Sequence, residues 1–566
     1  MRKYIKIAGV VSLALYFSAC NFLNTEPKDL TVDNYFNTEQ EVASYMAAIY
    51  NPLMQEHFYG NSFPLYLNGG DDLSFYQRST PTTSMICANT NASDPYVFRL
   101  WRMLYEGINR ANLLLENVDK PKMSDATREF YRAEARFLRA FYYFNLVQGW
   151  GDVPFRTSST QSTEGLSSPR TNKEEIYDFI VSEMEASIPH LKNVNEYSYS
   201  GRVTKSAVQG MLARVYLFRA GEHFRDKKAA GENTQKYFAE AKKWALEVKE
   251  SGLHGLVKNY WLIFKDLASD KYNSQGVNEC IWEVEMAGNR ATVEQAAGRV
   301  GNTFGFGATV DFSTNPDYND LTGRRNPGYS YMFIYASEKL FDYYETEKDT
   351  ARGDWNIAPF KYTTEGSGQN TKIKGLQYFY GKKPAVVPND GLEYIEGKET
   401  DLKNKVRCAA KFRREFEVKT PKHKNFTPQN FPILRYSDVL LMLAEAENEV
   451  NGPTALAKEC INMVRSRASL PAIETSSKEE FREAIKKERA MELCFEGIRR
   501  YDLIRWGDYY RNMRDMQSLV GSSDFWPKGM KYASEYYRIT EAYNYFPIPA
   551  LEMSVNSAIK FNNPGW

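Results

Sequence analysis

Glu488, Glu492 and Glu496 recur at every fourth position of the stretch "ERAMELCFEGIRRYDLIRW". On a helix that spacing lines three carboxylates along one face. Neighbouring carboxylates shift one another's pKa and can do the acid–base work of a glycosidase. A structural ion network competes with that reading and is favoured. Arg489, Arg499, Arg500 and Arg505 lie close by, and arginines stabilise like charges that would otherwise repel. In "DFSTNPDYND", the oxygen-bearing residues Asp311, Ser313, Asn315 and Asp317 have the alternation of a calcium loop, but Pro316 stands where the sharp turn needs Gly. The histidines are His57, His190, His223, His254 and His423, with no pair at metal-ligand spacing. No HExxH, GxSxG or Walker loop occurs, and "TFGFG" reads as a turn. No catalytic residue, metal or cofactor is expected.

Aromatic side chains make up 14% of the 566 residues, with 9 Trp, 39 Tyr and 33 Phe. Trp101, Tyr105, Phe141, Phe144, Trp244 and Trp506 fall in helical patterns and read as packing. Others fall among turn residues: Phe75, Tyr76, Tyr96, Phe304, Phe306, Tyr318, Tyr329, Tyr331 and Trp355. Exposed rings are unfavourable unless something covers them. A pyranose presents a flat C–H face that can stack on such a ring. Asp71, Asp72, Arg78, Asn319 and Asp320 lie near them in sequence and can bond sugar hydroxyls. Aromatic platforms with a few polar groups suit a sugar site. These rings, with Asp71, Asp72 and Arg78, are the candidate ligand-binding residues.

The elements that must hold such residues are mainly helices. "VFRLWRMLYEGINRANLLLENV", "TREFYRAEARFLRAFYYFNLVQGWGDVP", "TKSAVQGMLARVYLFRAG", "QKYFAEAKKWALEVKESG", "RYSDVLLMLAEAENEVNG" and "TALAKECINMVRSRASL" carry apolar residues at helical spacing. Ala-rich stripes separated by Gly-containing turns give these units the look of degenerate tetratricopeptide hairpins. The expected fold is mainly α, a helical-hairpin scaffold over 99–285 and 433–520. It carries a loop-rich ligand region at 60–98 and 286–432 with short β pieces such as "ECIWEVEM". Long loops inside a domain are usually functional or disordered.

The chain opens with Arg2, Lys3 and Lys6, an apolar run of about eleven residues, and small residues before Cys20, the plan of a secretory signal. "FSAC" resembles a bacterial lipobox, in which the thiol is lipidated and becomes the new N-terminus. Residues 1–19 are thus expected to be a signal peptide and 20–35 a lipidated tether. Residues 36–566 then form one domain. Cys87, Cys280, Cys408, Cys460 and Cys494 leave an odd number for disulfides, so Cys460 and Cys494 are expected as buried free thiols. A net charge of +1 excludes the basic balance of a nucleic-acid binder.

"WRMLYEGINRANLLLENV" and "AEARFLRAFYYFNLVQGWGDVPF" resemble the N-terminal signature of the SusD/RagB family of nutrient-uptake lipoproteins from Bacteroidetes outer membranes. "ILRYSDVLLMLAEAENEV", "INMVRSRA", "ERAMELCFEGIRRYDLIRWG" and "YFPIPALEMSVNSAIKFNNPGW" are similar to its C-terminal half. The resemblance runs from Cys20 to Trp566 and is weakest in 60–98 and 286–432, where specificity is expected. It implies a lipid-anchored outer-membrane protein facing the cell exterior. Such a protein binds glycans, or in some relatives peptides, and delivers them to a SusC-like TonB-dependent transporter. No acidic cluster follows Cys20, so surface export rests on the resemblance alone. A surface hydrolase using Glu488, Glu492 and Glu496 is the alternative of a different class.

Overall fold

A computed structural model describes residues 35–77, 84–162, 165–199, 201–226, 232–272, 276–287, 298–313, 326–367, 371–378, 393–395, 407–522 and 538–566. Helix starts follow local capping chemistry. Thr38 accepts from the Glu41 amide while Glu41 reaches back to the Thr38 amide, a reciprocal cap opening α1 (Glu39–Met54). A second helix, α2 (Ser62–Gly69), follows at once. Asp94 caps α3 (Pro95–Asn117), with Pro95 in its first turn where no amide is needed. Ser124 caps α4 (Asp125–Trp150), which stops at Gly151 with φ 69°.

Then come α5 (Lys173–Ser187), α6 (Lys205–Arg225), α7 (Glu232–Glu250) and α8 (Trp261–Ala268). Three shorter helices, α9 (Val300–Thr303), α10 (Glu338–Glu347) and α11 (Thr350–Asn356), lie in the middle of the chain. The C-terminal part holds α12 (Tyr436–Asn451), α13 (Ala455–Arg467), α14 (Lys478–Leu493), α15 (Arg499–Arg505), α16 (Tyr509–Ser522) and α17 (Ala550–Val555).

Hairpin pairs α3–α4, α6–α7 and α12–α13 pack side by side, and α12 also lies on α7, joining early and late parts of the chain. Small residues permit the close approaches. A Cβ on Gly107 of α3 would lie 2.4 Å from Cε2 of Tyr142 on α4. Ala213 and Ala444 are wholly buried on α6 and α12. A continuous apolar core runs from Phe36 to Ile559, and smaller clusters gather around Phe306 and Phe360 and around Ala308 and Phe312. This is the mainly α hairpin scaffold that the patterning predicts.

Strands are short. β1 (Ser74–Tyr76) pairs antiparallel with β5 (Ile334–Ala336), Tyr76 opposite Ile334. β2 (Val153–Pro154) pairs with β3 (Arg170–Thr171), and β4 (Cys280–Val284), the expected "ECIWEVEM" piece, pairs with β9 (Phe431–Arg435). β6 (Phe360–Glu365) and β7 (Lys372–Tyr378) are antiparallel, and β8 (Glu393–Ile395) joins β7 in parallel.

Among the described residues, the segments read as loop carry regular elements. Those of 60–98 include α2 and β1, and those of 286–432 include α9, α10, α11 and the β6–β7–β8 sheet. Their Gly, Asn and Thr clusters mark the ends of elements, while Phe63, Leu67, Leu340 and Phe341 give those elements a buried face. Cys280, Cys408, Cys460 and Cys494 are free thiols, the last three buried. Among the described residues no helix is long and apolar enough to cross a membrane.

Candidate functional site

The β1–β5 pairing joins the two ring-bearing segments. Beyond β1, Gln77 N donates to Phe333 O at 2.8 Å. Residues 330–333 are held against the end of α9. Tyr331 N donates to Asn302 O at 2.7 Å, Phe333 N to Thr303 O at 2.8 Å, and Ser330 Oγ to Gly305 O at 2.7 Å.

On this support four half-buried rings follow one another. Tyr76 lies 5.6 Å from Phe333 between ring centres. Phe333 is stacked on Tyr331 at 5.0 Å and 15°, and Tyr331 meets Tyr329 edge-on at 4.9 Å. Met332 sits between the stacked pair at φ 50°, a left-handed value that is uncommon for a side chain of its size. Lys424 places its ammonium 5.0 Å from the Tyr329 ring centre and 3.8 Å from Asp311 Oδ2. The result is a fixed aromatic row with a cation and a carboxylate at one end.

Burial removes six of the sequence candidates from any open surface. Phe75 is wholly enclosed beside Tyr335. Phe304 and Phe306 pack edge-on against Phe412 and Phe360. Trp355 is buried under the Arg413 guanidinium, 4.0 Å from the ring, and its Nε1 donates to Lys411 O at 3.2 Å. These rings were expected to lack a local core, but Phe75, Phe304 and Trp355 join the main core and Phe306 the smaller cluster around Phe360.

Asp71 and Asp72 are buried too. Asp71 Oδ1 accepts from the amides of Leu73 and Ser74 and shapes the turn into β1. Asp72 is bridged by Arg499 through both oxygens, at 2.8 and 3.0 Å, and by Lys339 at 2.5 Å. Burial, reinforced by the Asp72 charge, pushes Asp71 up to about 8. Burial also opposes ionisation of Asp72, but Arg499 and Lys339 outweigh it and hold that carboxyl well below the usual range.

Tyr96 stays half-buried but lies apart from the row, against Tyr66 at 4.8 Å. Arg78, Tyr318, Asn319, Asp320 and Cys20 lie outside the described residues. The geometry adds Phe333 and Lys424, which sequence reasoning missed. Phe333 was within reach, because "YSYMF" repeats a ring at every second position, the spacing that returns side chains to one face of extended chain. Nothing local marks Lys424.

The carboxylate face of α14 and the turn after it is occupied. Arg352 Nη1 donates to Glu488 Oε1 at 2.6 Å and to Glu492 Oε2 at 3.1 Å. Arg435 bonds Glu492 Oε1 at 3.0 Å and both oxygens of Glu496 at 2.7 and 2.8 Å. Arg465, Arg467 and Lys411 complete the shell at 2.9, 2.6 and 2.7 Å. Burial would raise Glu492, but Arg467, Arg435, Arg352 and Lys411 together hold it well below the usual carboxylate range. A buried, permanently ionised carboxylate has neither the proton nor the access a general acid needs. The expected ion network is present, but its cations come from distant segments: the nearby Arg489, Arg499, Arg500 and Arg505 bind Asp438 and Asp502, Asp72, Tyr543 O and Glu445 instead. Among the described residues no three His, Cys, Asp or Glu converge as metal ligands.

These features define a helical-hairpin scaffold that carries short strands and a row of packed aromatic rings. Residues 278–566 match the model described as SusD family, and residues 21–217 match one described as starch-binding associating with outer membrane. The chain belongs to the SusD family. It is 27% identical over 563 residues to SusD-like protein P25 of Formosa agariphila, covering 96% of this chain and 95% of that one. It is 23% identical over 476 residues to the starch-binding protein SusD of Bacteroides thetaiotaomicron, covering 80% of this chain and 76% of that one. The fold superposes on a SusD homolog from Bacteroides thetaiotaomicron with a TM-score of 0.78, covering 96% of this chain and 100% of that one at 24% identity. A laminarin-binding SusD-like protein superposes with a TM-score of 0.65, covering 94% of this chain and 100% of that one at 21% identity.

Proposed function

We propose that this protein is a lipid-anchored outer-membrane protein, facing the cell exterior, that captures glycans and hands them to a SusC-like TonB-dependent transporter without altering them. The observation that carries the reading is the Tyr76–Phe333–Tyr331–Tyr329 row, set where two chain segments meet on a SusD-family scaffold. Relatives named as starch-binding and laminarin-binding support a glycan as cargo. Ring faces cover the C–H face of a pyranose, while Lys424 and Asp311 set its orientation.

Handover demands release, so dissociation constants from about 1 mM to 1 μM are expected, or roughly −4 to −8 kcal/mol. Each stacked ring contributes about 0.5–1.5 kcal/mol beyond its buried area. Calorimetry of the full chain against a panel of neutral glycans tests this. Tyr76→Ala and Tyr331→Ala should each weaken binding about three- to tenfold at little-changed melting temperature, the span those ring energies allow. Unaltered affinity in both variants, or reducing ends released from the glycan, would refute the reading, and binding of peptides alone would change the cargo.

A further inference from the structure

A cleft of about 850 Å³ opens elsewhere on the molecule, between α3, the chain stretches 154–160 and 165–167, and α17. None of its lining residues belongs to the aromatic row or to the segments that hold it. Its volume falls within the range of ligand pockets, about 300–1,000 Å³.

One wall is apolar. Phe98 and Tyr105 are half-buried along α3, beside the buried Trp101. Tyr105 Oη donates to Pro154 O at 2.7 Å, which fixes the ring against the floor. Leu166 and Val555 stand at the rim, 42% and 69% exposed.

The polar groups are unevenly committed. Of the carboxylates, Glu106 is held by Arg110, and Glu552 accepts from Trp101 Nε1 at 3.4 Å and Asn556 Nδ2 at 3.0 Å. The donors have capacity left. Arg102 makes no hydrogen bond or ion pair among the described residues. Arg156 uses Nη2 on Leu166 O and leaves Nε and Nη1 unbonded there. Asn109 accepts from Thr160 N at 2.8 Å through Oδ1, with Nδ2 unbonded. A pocket that combines aromatic rings with guanidinium donors that have capacity left is complementary to a ring that carries an anionic group. Arg presents planar, paired N–H groups that match a carboxylate or sulfate.

We infer that this cleft is a second saccharide site, one that takes a sugar bearing a carboxylate or sulfate. It rests on the glycan-capture reading for its ligand class but not on the aromatic row. Calorimetry on the full chain with trigalacturonate, a sulfated galactan tetrasaccharide and neutral laminaritriose tests it. At least one acidic saccharide should bind more tightly than the neutral one, and which of the two does so identifies the anionic group. Arg102→Gln and Arg156→Gln should each weaken that binding tenfold or more, leaving neutral-glycan binding unchanged. Ser158→Trp, at an exposed lining position, should block the cleft without touching either arginine and guards against misfolding of Arg156→Gln. Saturation with a neutral glycan should not displace the acidic one.

Acidic saccharides that bind no better than neutral ones overturn the inference. So do arginine and Ser158→Trp variants that bind like the parent, or full displacement by a neutral glycan. If no neutral glycan binds anywhere, the aromatic-row reading fails, and the arginine variants still decide the cleft.

Discussion

Glu492 shows how one residue's role follows from its surroundings. Its two oxygens receive Arg352, Arg435 and Arg467 in the buried interior. Removing one partner of a buried ion cluster leaves charge without compensation, at about 3–5 kcal/mol. Glu492→Gln should therefore lower the melting temperature strongly while any retained fold still binds glycan. A variant as stable as the parent would contradict the network. Asp71 offers a different test. Its folded pKa of about 8 lies above the ordinary value of about 3.9. The unfolded chain thus ionises first, and the group's contribution is full below about pH 4 and is lost as pH rises toward 8. The slope is at most about 1.4 kcal/mol per pH unit. Asp71→Asn keeps an oxygen for the Leu73 and Ser74 amides without the ionisation. Its melting temperature relative to the parent should climb between pH 5 and pH 8, and a flat difference across that span would count against the buried acid.

Among the elements, the α3–α4 hairpin is held to close range by a missing side chain. Replacing an interior helical Gly by Ala normally gains about 1 kcal/mol. At Gly107 the added methyl would overlap the Tyr142 ring, and that ring cannot swing away because its hydroxyl donates to Ile49 O at 2.6 Å. Overpacking of a filled core costs about 1–3 kcal/mol, so the loss wins. Gly107→Ala should lower the melting temperature, and a rise would mean that the hairpin can spread. The β1–β5 pair acts on the site itself, because its register sets Tyr76 opposite Ile334 and hence beside Phe333.

At the scale of the whole molecule, anchoring and capture are separable. Cys20 precedes the described residues, and the proposed binding surfaces lie on elements that follow α1. Cys20→Ser should release the chain from the membrane fraction while leaving glycan affinity and melting temperature unchanged. Retention of the Ser variant at the outer membrane would remove the lipobox reading. The C-terminal segment closes the scaffold, since Trp150 Nε1 donates to Pro547 O at 2.9 Å and Asn563 Nδ2 to Trp150 O at 3.0 Å. The long-range packing of α12 on α7 likewise makes early and late hairpins one body, so damage far from the site is expected to be felt as stability rather than as specificity.

Helix positions and hairpin pairing were legible in the chain because they depend on neighbours three and four residues away. The Ala and Gly stripes announce close packing, whereas the capping roles of Asp94 and Ser124 emerge only in the structure. Family membership was legible for the same reason, since the scaffold blocks are contiguous. The binding surface was only partly so. Tyr76, Tyr329 and Tyr331 are candidates that the fold brings together, whereas Phe75, Phe304, Phe306 and Trp355 carry the same residue types in similar turn-rich settings and face inward. Asp71 and Asp72 look like hydroxyl partners until Arg499, more than 400 residues away, is seen to close on Asp72. Burial is set by contacts between segments distant in sequence, and local composition does not encode it. Only the tertiary structure decided which rings form a row, which carboxylates are neutralised, and that a donor-rich cleft lies between α3 and α17.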